Sequence, residues 1–256
     1  MTSLTLKGIS NVPSVMKNIL LFLFIFNVTT SFAQLPKQIF QGDGQEDYKP
    51  GEFTIAKRTI AQSAGVYHFG ESEGESDFIV LPYKNGLIVQ VSSHTWGKDP
   101  RTKAETWLRE FKTFNNVILK GSTFTFGKYT GIFVTYNGKI KKAILLSGDP
   151  STGTSYAKNS AEAGHYETDL ATYFNGKKYP EVSLSLIDEK YLEGKSKQEI
   201  KYMRNEVFAR YGMIFQSPEV AALFSKRYLA WRKDVSICLT EIEKHNLEVI
   251  KNYELK

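Results

Sequence analysis

The chain has 256 residues, 33 Lys and Arg against 27 Asp and Glu, and a formal net charge of +6. Hydrophobic residues make up 41% and aromatics 13%, which excludes a chain disordered throughout, and the length suits two small domains better than one. One cysteine, Cys238, excludes an intramolecular disulfide and a cysteine-cluster metal site, and His68, His94, His165 and His245 lack metal-ligand spacing.

Lys17 and Asn18 precede an unbroken apolar run over residues 19–26. With small residues at Ser31 and Ala33, residues 16–33 read as a secretory signal peptide cleaved before Gln34. The apolar core, about 10 residues, is roughly half of what a membrane span needs. Met16 sits where such a signal begins, so residues 1–15 read as an upstream extension. Losing Lys7 and Lys17 leaves 31 basic against 27 acidic residues, a net charge of +4. No long basic cluster survives, which argues against a nucleic-acid partner. The expectation is an exported protein, periplasmic or extracellular, with no stable membrane span after cleavage.

Residues 34–60 are rich in Gly, Pro, Gln, Asp and Lys and read as an extended lead-in. From Gly65 the pattern becomes short alternating runs, the signature of half-buried strands. Residues 77–83 and 87–91 flank Asn85-Gly86, which favours a two-residue hairpin turn. Asp99-Pro100 suits a helix start, and Trp107, Leu108, Phe111 and Phe114 then share one stripe of a helix over 101–114. Strand-like runs resume at 117–119, 123–126 and 131–136, and a second turn at Asn137-Gly138 leads into 139–147. Residues 147–160 read as a loop, 161–174 as a helix, and 175–180 as a boundary. The expected fold class is α+β, with an antiparallel β-rich module over 61–183 carrying one packed helix.

Residues 184–256 form a small all-helical domain on this reading. Residues 196–199 (SKQE) and 240–243 (TEIE) are capping boxes, and Ser217-Pro218 is a third start signal. The first helix should run over 197–211 and stop at Gly212, burying Ile200, Met203, Val207 and Tyr211. The last, over 241–253, offers Ile242, Val249 and Tyr253.

Residues 204–212 (RNEVFARYG), then Phe215, Ser217-Pro218-Glu219, Leu223-Phe224 and residues 239–246 (LTEIEKHN), resemble the YARHG domain of exported bacterial proteins. The eponymous motif stands here as Phe208-Ala209-Arg210-Tyr211-Gly212, so its His position is Tyr. The tryptophan after the second helix appears as Trp231. The resemblance implies an extracytoplasmic protein and supplies no activity. Tyr211 removes any acid–base role for the motif's His, because the reference pKa of tyrosine is about 10.

The candidate binding residues are Arg204, Asn205, Arg210, Tyr211 and Trp231. The arginine forks suit anionic or polar ligands, and they suit helix-to-helix hydrogen bonds equally well. Trp231 with Tyr228 and Arg232 can be a stacking platform or core, and the aromatics of the first module can line a cavity or fill it. No catalytic, metal or cofactor constellation is present. Glu71, Glu73, Glu75 and Asp77 read as a solvated run, and Cys238 as a packed residue. The functional expectation is a non-catalytic envelope-binding or adaptor protein contacting a cell-wall component or another envelope protein. The alternatives are a hydrolase, marked by His94 or His165 meeting Asp or Glu in a concave pocket, and a lipocalin-like carrier with an open apolar cavity.

Overall fold

Alternating apolar residues build a sheet that closes on itself. The computed structural model describes residues 34–256 except 43–45, 72–73, 138–140 and 175–176. The segment read as a signal peptide and the extension before it lie outside these residues, as do Glu73 and Gly138 of the second turn. The strands are β1 (Gln38–Gln41), β2 (Glu46–Tyr48), β3 (Phe53–Ile55), β4 (Gly65–Phe69), β5 (Ser76–Tyr83), β6 (Gly86–Lys98), β7 (Glu105–Lys120), β8 (Thr123–Phe126), β9 (Tyr129–Tyr136), β10 (Lys141–Leu146), β11 (Gly148–Asp149), β12 (Thr154–Ser155) and β13 (Ser160–Thr168). The helices are α1 (Ile60–Ser63), α2 (Leu170–Tyr173), α3 (Glu181–Leu184), α4 (Glu189–Leu192), α5 (Lys197–Arg210), α6 (Pro218–Phe224) and α7 (Glu241–Glu254).

Strands β4 to β10 form a meander, and β13 lies antiparallel between β10 and β4, closing an eight-stranded barrel. The stretch read as an extended lead-in supplies three short strands at its margins. Of these, β1 runs parallel to β13, β2 pairs with β1, and β3 pairs with β9. Eight strands leave an interior just wide enough for side chains. Rings occupy it: Phe124 lies 4.7 Å from Phe133, and Phe126 lies 5.4 Å from Phe78 and 5.0 Å from Phe114. Two glycines make room for them. A Cβ at Gly131 would lie 2.1 Å from the Phe124 ring, and one at Gly164 the same distance from Phe69. This filling removes the open cavity that the carrier reading required.

Two expected helices are strands. Residues 101–114 fall mainly in β7, which pairs with β6 from Leu87↔Val117 to Lys98↔Glu105. A bulge lies between the Leu87 and Val89 pairings. Phe114 packs against the barrel interior before it, Val117 and Leu119 do so after it, and Phe111 packs against the helical domain on the outer face. Apolar residues on both faces of one strand imitate helical spacing. Residues 161–174 are mostly β13, in which Ala161, Ala163 and Gly164 are buried in the closing strand and only Leu170–Tyr173 is helical. The hairpin between β5 and β6 turns at Lys84 and Asn85, with Tyr83 opposite Gly86, one residue earlier than Asn85-Gly86 suggests. Lys84 takes the positive φ, 51°.

The outer face of the barrel carries the helices. Both predicted capping boxes form, on Ser196/Glu199 and Thr240/Glu243, and Ser217 caps α6. Helix α5 stops where Gly212 takes φ +79°. Val66, Ile79, Leu81 and Ile88 of the barrel pack with Ile242, Leu170, Tyr173 and Leu184. Phe111 joins the main helical core around Ile200, Met203, Val207 and Ile250. Residues 35–256 accordingly form one compact unit. Among the described residues no helix is long and apolar enough to cross a membrane.

Forcing a methyl into the filled barrel has a stated cost. Gly131→Ala should destabilise the chain by about 1–3 kcal/mol, the usual range for overpacking, read by urea denaturation. A Phe124→Leu change in the same chain should recover part of the loss.

Candidate functional site

The barrel and the helical domain meet at a buried polar network. Gln90 on β6 is fully buried, and its side chain points out of the barrel toward the motif at the end of α5. Gln90 Nε2 lies within donating distance of Tyr211 Oη (2.8 Å), Thr113 Oγ1 (2.9 Å) and the Cys238 carbonyl (3.1 Å). Its Oε1 accepts from Arg210 Nη2. Arg210 Nη1 donates to Glu243 Oε1 at 2.6 Å, and Tyr211 Oη donates to Glu243 Oε2 at 2.5 Å. Glu243, the capping-box glutamate of α7, also accepts from Ser183 Oγ and from the Thr240 backbone. A buried carboxylate with this many donors is fully compensated.

Ionisation follows from this packing. Burial pushes the Tyr211 phenol well above its usual value and Glu243 pushes it further, so it remains a donor. Burial works against the Arg210 guanidinium, but its pKa is raised, with the Glu243 carboxylate at 2.6 Å favouring the charged form. Cys238 is fully buried, its thiol pKa is raised by burial, and its carbonyl serves the network.

Beside the network a cavity of about 200 Å³ opens between β6–β7 and the helical domain. Trp107 and Arg109 line it from the barrel, and Tyr173, Lys177, Arg210, Arg227, Tyr228 and Trp231 line it from the other side. Arg109 donates to Ser92 Oγ (2.8 Å) and Tyr173 Oη (2.5 Å) and lies 3.5 Å from Asp77. Arg227 pairs with Glu206 at 3.1 Å. The Lys177 ammonium has no hydrogen bond or ion pair among the described residues; its Nζ rests over the Phe174 ring at 4.2 Å and the Tyr173 ring at 5.7 Å. Burial, then Arg210 and Arg109, bring its pKa down to about 7.

The ends of β6 and β7 extend this wall. Beyond Ser93, β6 pairs with β7 alone, so residues 94–98 and 105–109 form a two-stranded ribbon past the barrel rim. Trp96 and Trp107 face each other across it at 4.6 Å, and Trp96 is 55% exposed. Asp99 holds the turn by accepting from Arg101, which brings its pKa down to about 2.

A larger cleft, about 510 Å³, adjoins the other side of His94 and is lined by Glu75, Glu110, Asp149, Tyr156 and Glu162. This is a meeting of His94 with carboxylates, yet no hydrogen bond joins its ring to any of them among the described residues. The His94 pKa is lowered, by burial and then by Arg109. His68 instead pairs with Asp77 at 3.2 Å, and its pKa is raised by that bond. His165 lies outside this cleft, 3.0 Å from Tyr48 Oη. No group of three or more His, Cys, Asp or Glu among the described residues is placed to hold a metal.

Of the five residues singled out by sequence, Arg210, Tyr211 and Trp231 line the smaller cavity. Arg204 does not: it pairs with Glu254 at 2.5 Å. Asn205 bonds the Lys201 carbonyl of its own helix. Trp231 packs over Gly212, where a Cβ would lie 2.7 Å from its ring, and Arg232 stacks on it at 4.1 Å. Arg109, Lys177 and Arg227 carried no signal of their own, since their meeting depends on contacts distant in sequence.

Residues 172–255 match the YARHG domain family model, so this segment carries a YARHG domain that includes Tyr173 and Lys177. The match does not extend to the barrel. No curated protein and no solved structure matches the chain.

Two outcomes follow from this geometry. Arg210→Met should cost about 3–5 kcal/mol by leaving Glu243 buried and uncompensated, and adding Glu243→Leu should recover part of it, measured by chemical denaturation. Lys177 is charged in both states below pH 7, where its burial cost is present in full. That cost is relieved as pH rises from about 7 toward the 10.5 of a free lysine. Lys177→Met should therefore raise the melting temperature at about pH 6 and reduce the gain that the unaltered chain shows on going to about pH 9.

Proposed function

We propose that this chain is an exported, non-catalytic envelope-binding protein whose YARHG domain and barrel ribbon together receive a saccharide of the cell wall. The observation that carries this reading is the gathering of all three tryptophans at one cleft. Trp107 and Trp231 line it, and Trp96 stacks on Trp107. An exposed indole packed on a half-buried one, on a ribbon outside the core, is a poor use of core-forming residues and a good platform for flat, partly apolar rings. Arginine forks beside them suit the polar groups of the same ligand. Export is supported by the apolar run over 19–26 and by the YARHG match.

Co-sedimentation of residues 34–256 with intact peptidoglycan sacculi tests this. Trp96→Ala with Trp107→Ala, on a ribbon outside the barrel, should leave folding intact and weaken sedimentation by about tenfold or more, as loss of a tryptophan anchor does. Undiminished sedimentation would remove the ribbon from the site. Capture of sacculi by neither protein would leave a protein partner as the occupant.

A hydrolytic second reading has the His94 cleft in its favour. General acid–base work needs hydrogen-bond reach between the partners and the substrate. Release of dye from labelled sacculi, abolished by His94→Ala or Glu162→Gln, would establish it; the binding reading predicts no release.

A further inference from the structure

Among the described residues four cationic ones line the smaller cavity, Arg109, Lys177, Arg210 and Arg227, and no carboxylate does. Three of the four are answered from behind the wall: Arg210 by Glu243, Arg227 by Glu206, and Arg109 by Asp77 with the Ser92 and Tyr173 hydroxyls. Lys177 is the exception, held against two aromatic rings with no anionic or accepting atom in reach among the described residues. A second unmet group lies in the same wall. The hydroxyl of Tyr228 is buried beside the Arg227 guanidinium, a donor that cannot accept its proton, and it has no acceptor among the described residues. A half-buried ammonium on the cavity wall, with a buried hydroxyl beside it, is a standing cost that an acceptor group would relieve.

We infer that Lys177, Tyr228 and Arg227 form an oxyanion subsite, so that the ligand carries a carboxylate or phosphate seated beside the tryptophan platform. The placement beside a sugar-stacking face rests on the function proposed above; the subsite itself rests on the unanswered donors. An ammonium contributes a point charge and up to three donors, and the neighbouring guanidinium a planar fork, which together suit either oxyanion. The groups facing Lys177 are Arg109 from β7, His94 from β6, Arg210 and Tyr211 from the end of α5, Tyr173 after β13, and Arg227 and Tyr228 after α6, with Glu206 and Glu243 behind them. Burial and the neighbouring guanidinium groups bring the Lys177 pKa down to about 7. Anion affinity should therefore fall as pH rises above that point, because the site must take up a proton to bind.

The test uses residues 34–256 and two readouts. Calorimetry compares a neutral N-acetylglucosamine tetramer, N-acetylglucosaminyl-N-acetylmuramic acid, which carries a carboxylate, and N-acetylglucosamine 1-phosphate. Acetylation of Lys177 by acetic anhydride, followed by mass spectrometry, reports protection by inorganic phosphate or lactate alone. The expected result is that one or both anionic sugars bind about tenfold tighter than the neutral tetramer at about pH 6. The advantage should shrink at about pH 9 and vanish in Lys177→Met, while the tetramer binds that variant as before; the better of the two anionic sugars distinguishes carboxylate from phosphate. Anions should slow acetylation of Lys177 relative to exposed lysines. Protection by simple anions without binding of any sugar would keep the subsite and refute the saccharide reading. Binding of neutral and anionic sugars alike, with no protection of Lys177, would keep the saccharide reading and overturn the subsite. An anion advantage undiminished in Lys177→Met, or no protection and no binding at all, would overturn it as well.

Discussion

The ion pair between Arg210 and Glu243 is buried at the seam of barrel and helices, and the arrangement of the two structural halves depends on that. Arg210 is 7% exposed and Glu243 not at all. Desolvating two charges costs several kcal/mol per ion, so the pair is tolerable only where every remaining lone pair and proton is used. Gln90 supplies that from the barrel, Tyr211 from the motif, and Ser183 and Thr240 from the helical domain. A rotation of the helical domain on the sheet would break several of these bonds together. The motif thus reads first as a latch, and the cleft beside it is fixed because the latch is fixed.

The barrel interior is filled, so the clefts lie at its rim and on its outer face. Its interior is taken by phenylalanine and tyrosine rings, with Gly131 and Gly164 cut back to admit them. The surface proposed for binding lies where β6 and β7 outrun their neighbours and carry Trp96 and Trp107 beyond the rim. At the other end of the hairpin, Asn115 Oδ1 accepts from the Glu241 backbone at the start of α7. One pair of strands thus both docks the helical domain and presents the aromatic face.

The helical half was legible because its signals are local. Each capping box needs four consecutive residues, and Gly212 needs only its own backbone freedom. The β-rich half was legible in class and not in every element. Trp107, Leu108, Phe111 and Phe114 imitate a helix because β7 is apolar on two faces, and no window of sequence shows that the second face is covered by a helical domain. Residues 161–174 misled in a similar way, since alanine and glycine mark a closing strand only once the rings of Phe69 and its neighbours are known to press on it. At the site, Arg210, Tyr211 and Trp231 followed from the motif. Lys177 and Arg109 did not, because a lysine or arginine becomes distinctive only through what surrounds it in space.

The central claim is that the Gln90–Arg210–Glu243 network makes barrel and helical domain one cooperative unit around the cleft. Native-state hydrogen exchange tests it most directly, comparing the most protected amides of β6 and β7 with those of α5 and α7. The account predicts one shared opening free energy in the unaltered chain, and two separate values in Gln90→Leu, with the helical amides opening more easily. Different opening free energies already present in the unaltered chain, or identical behaviour in the variant, would contradict it.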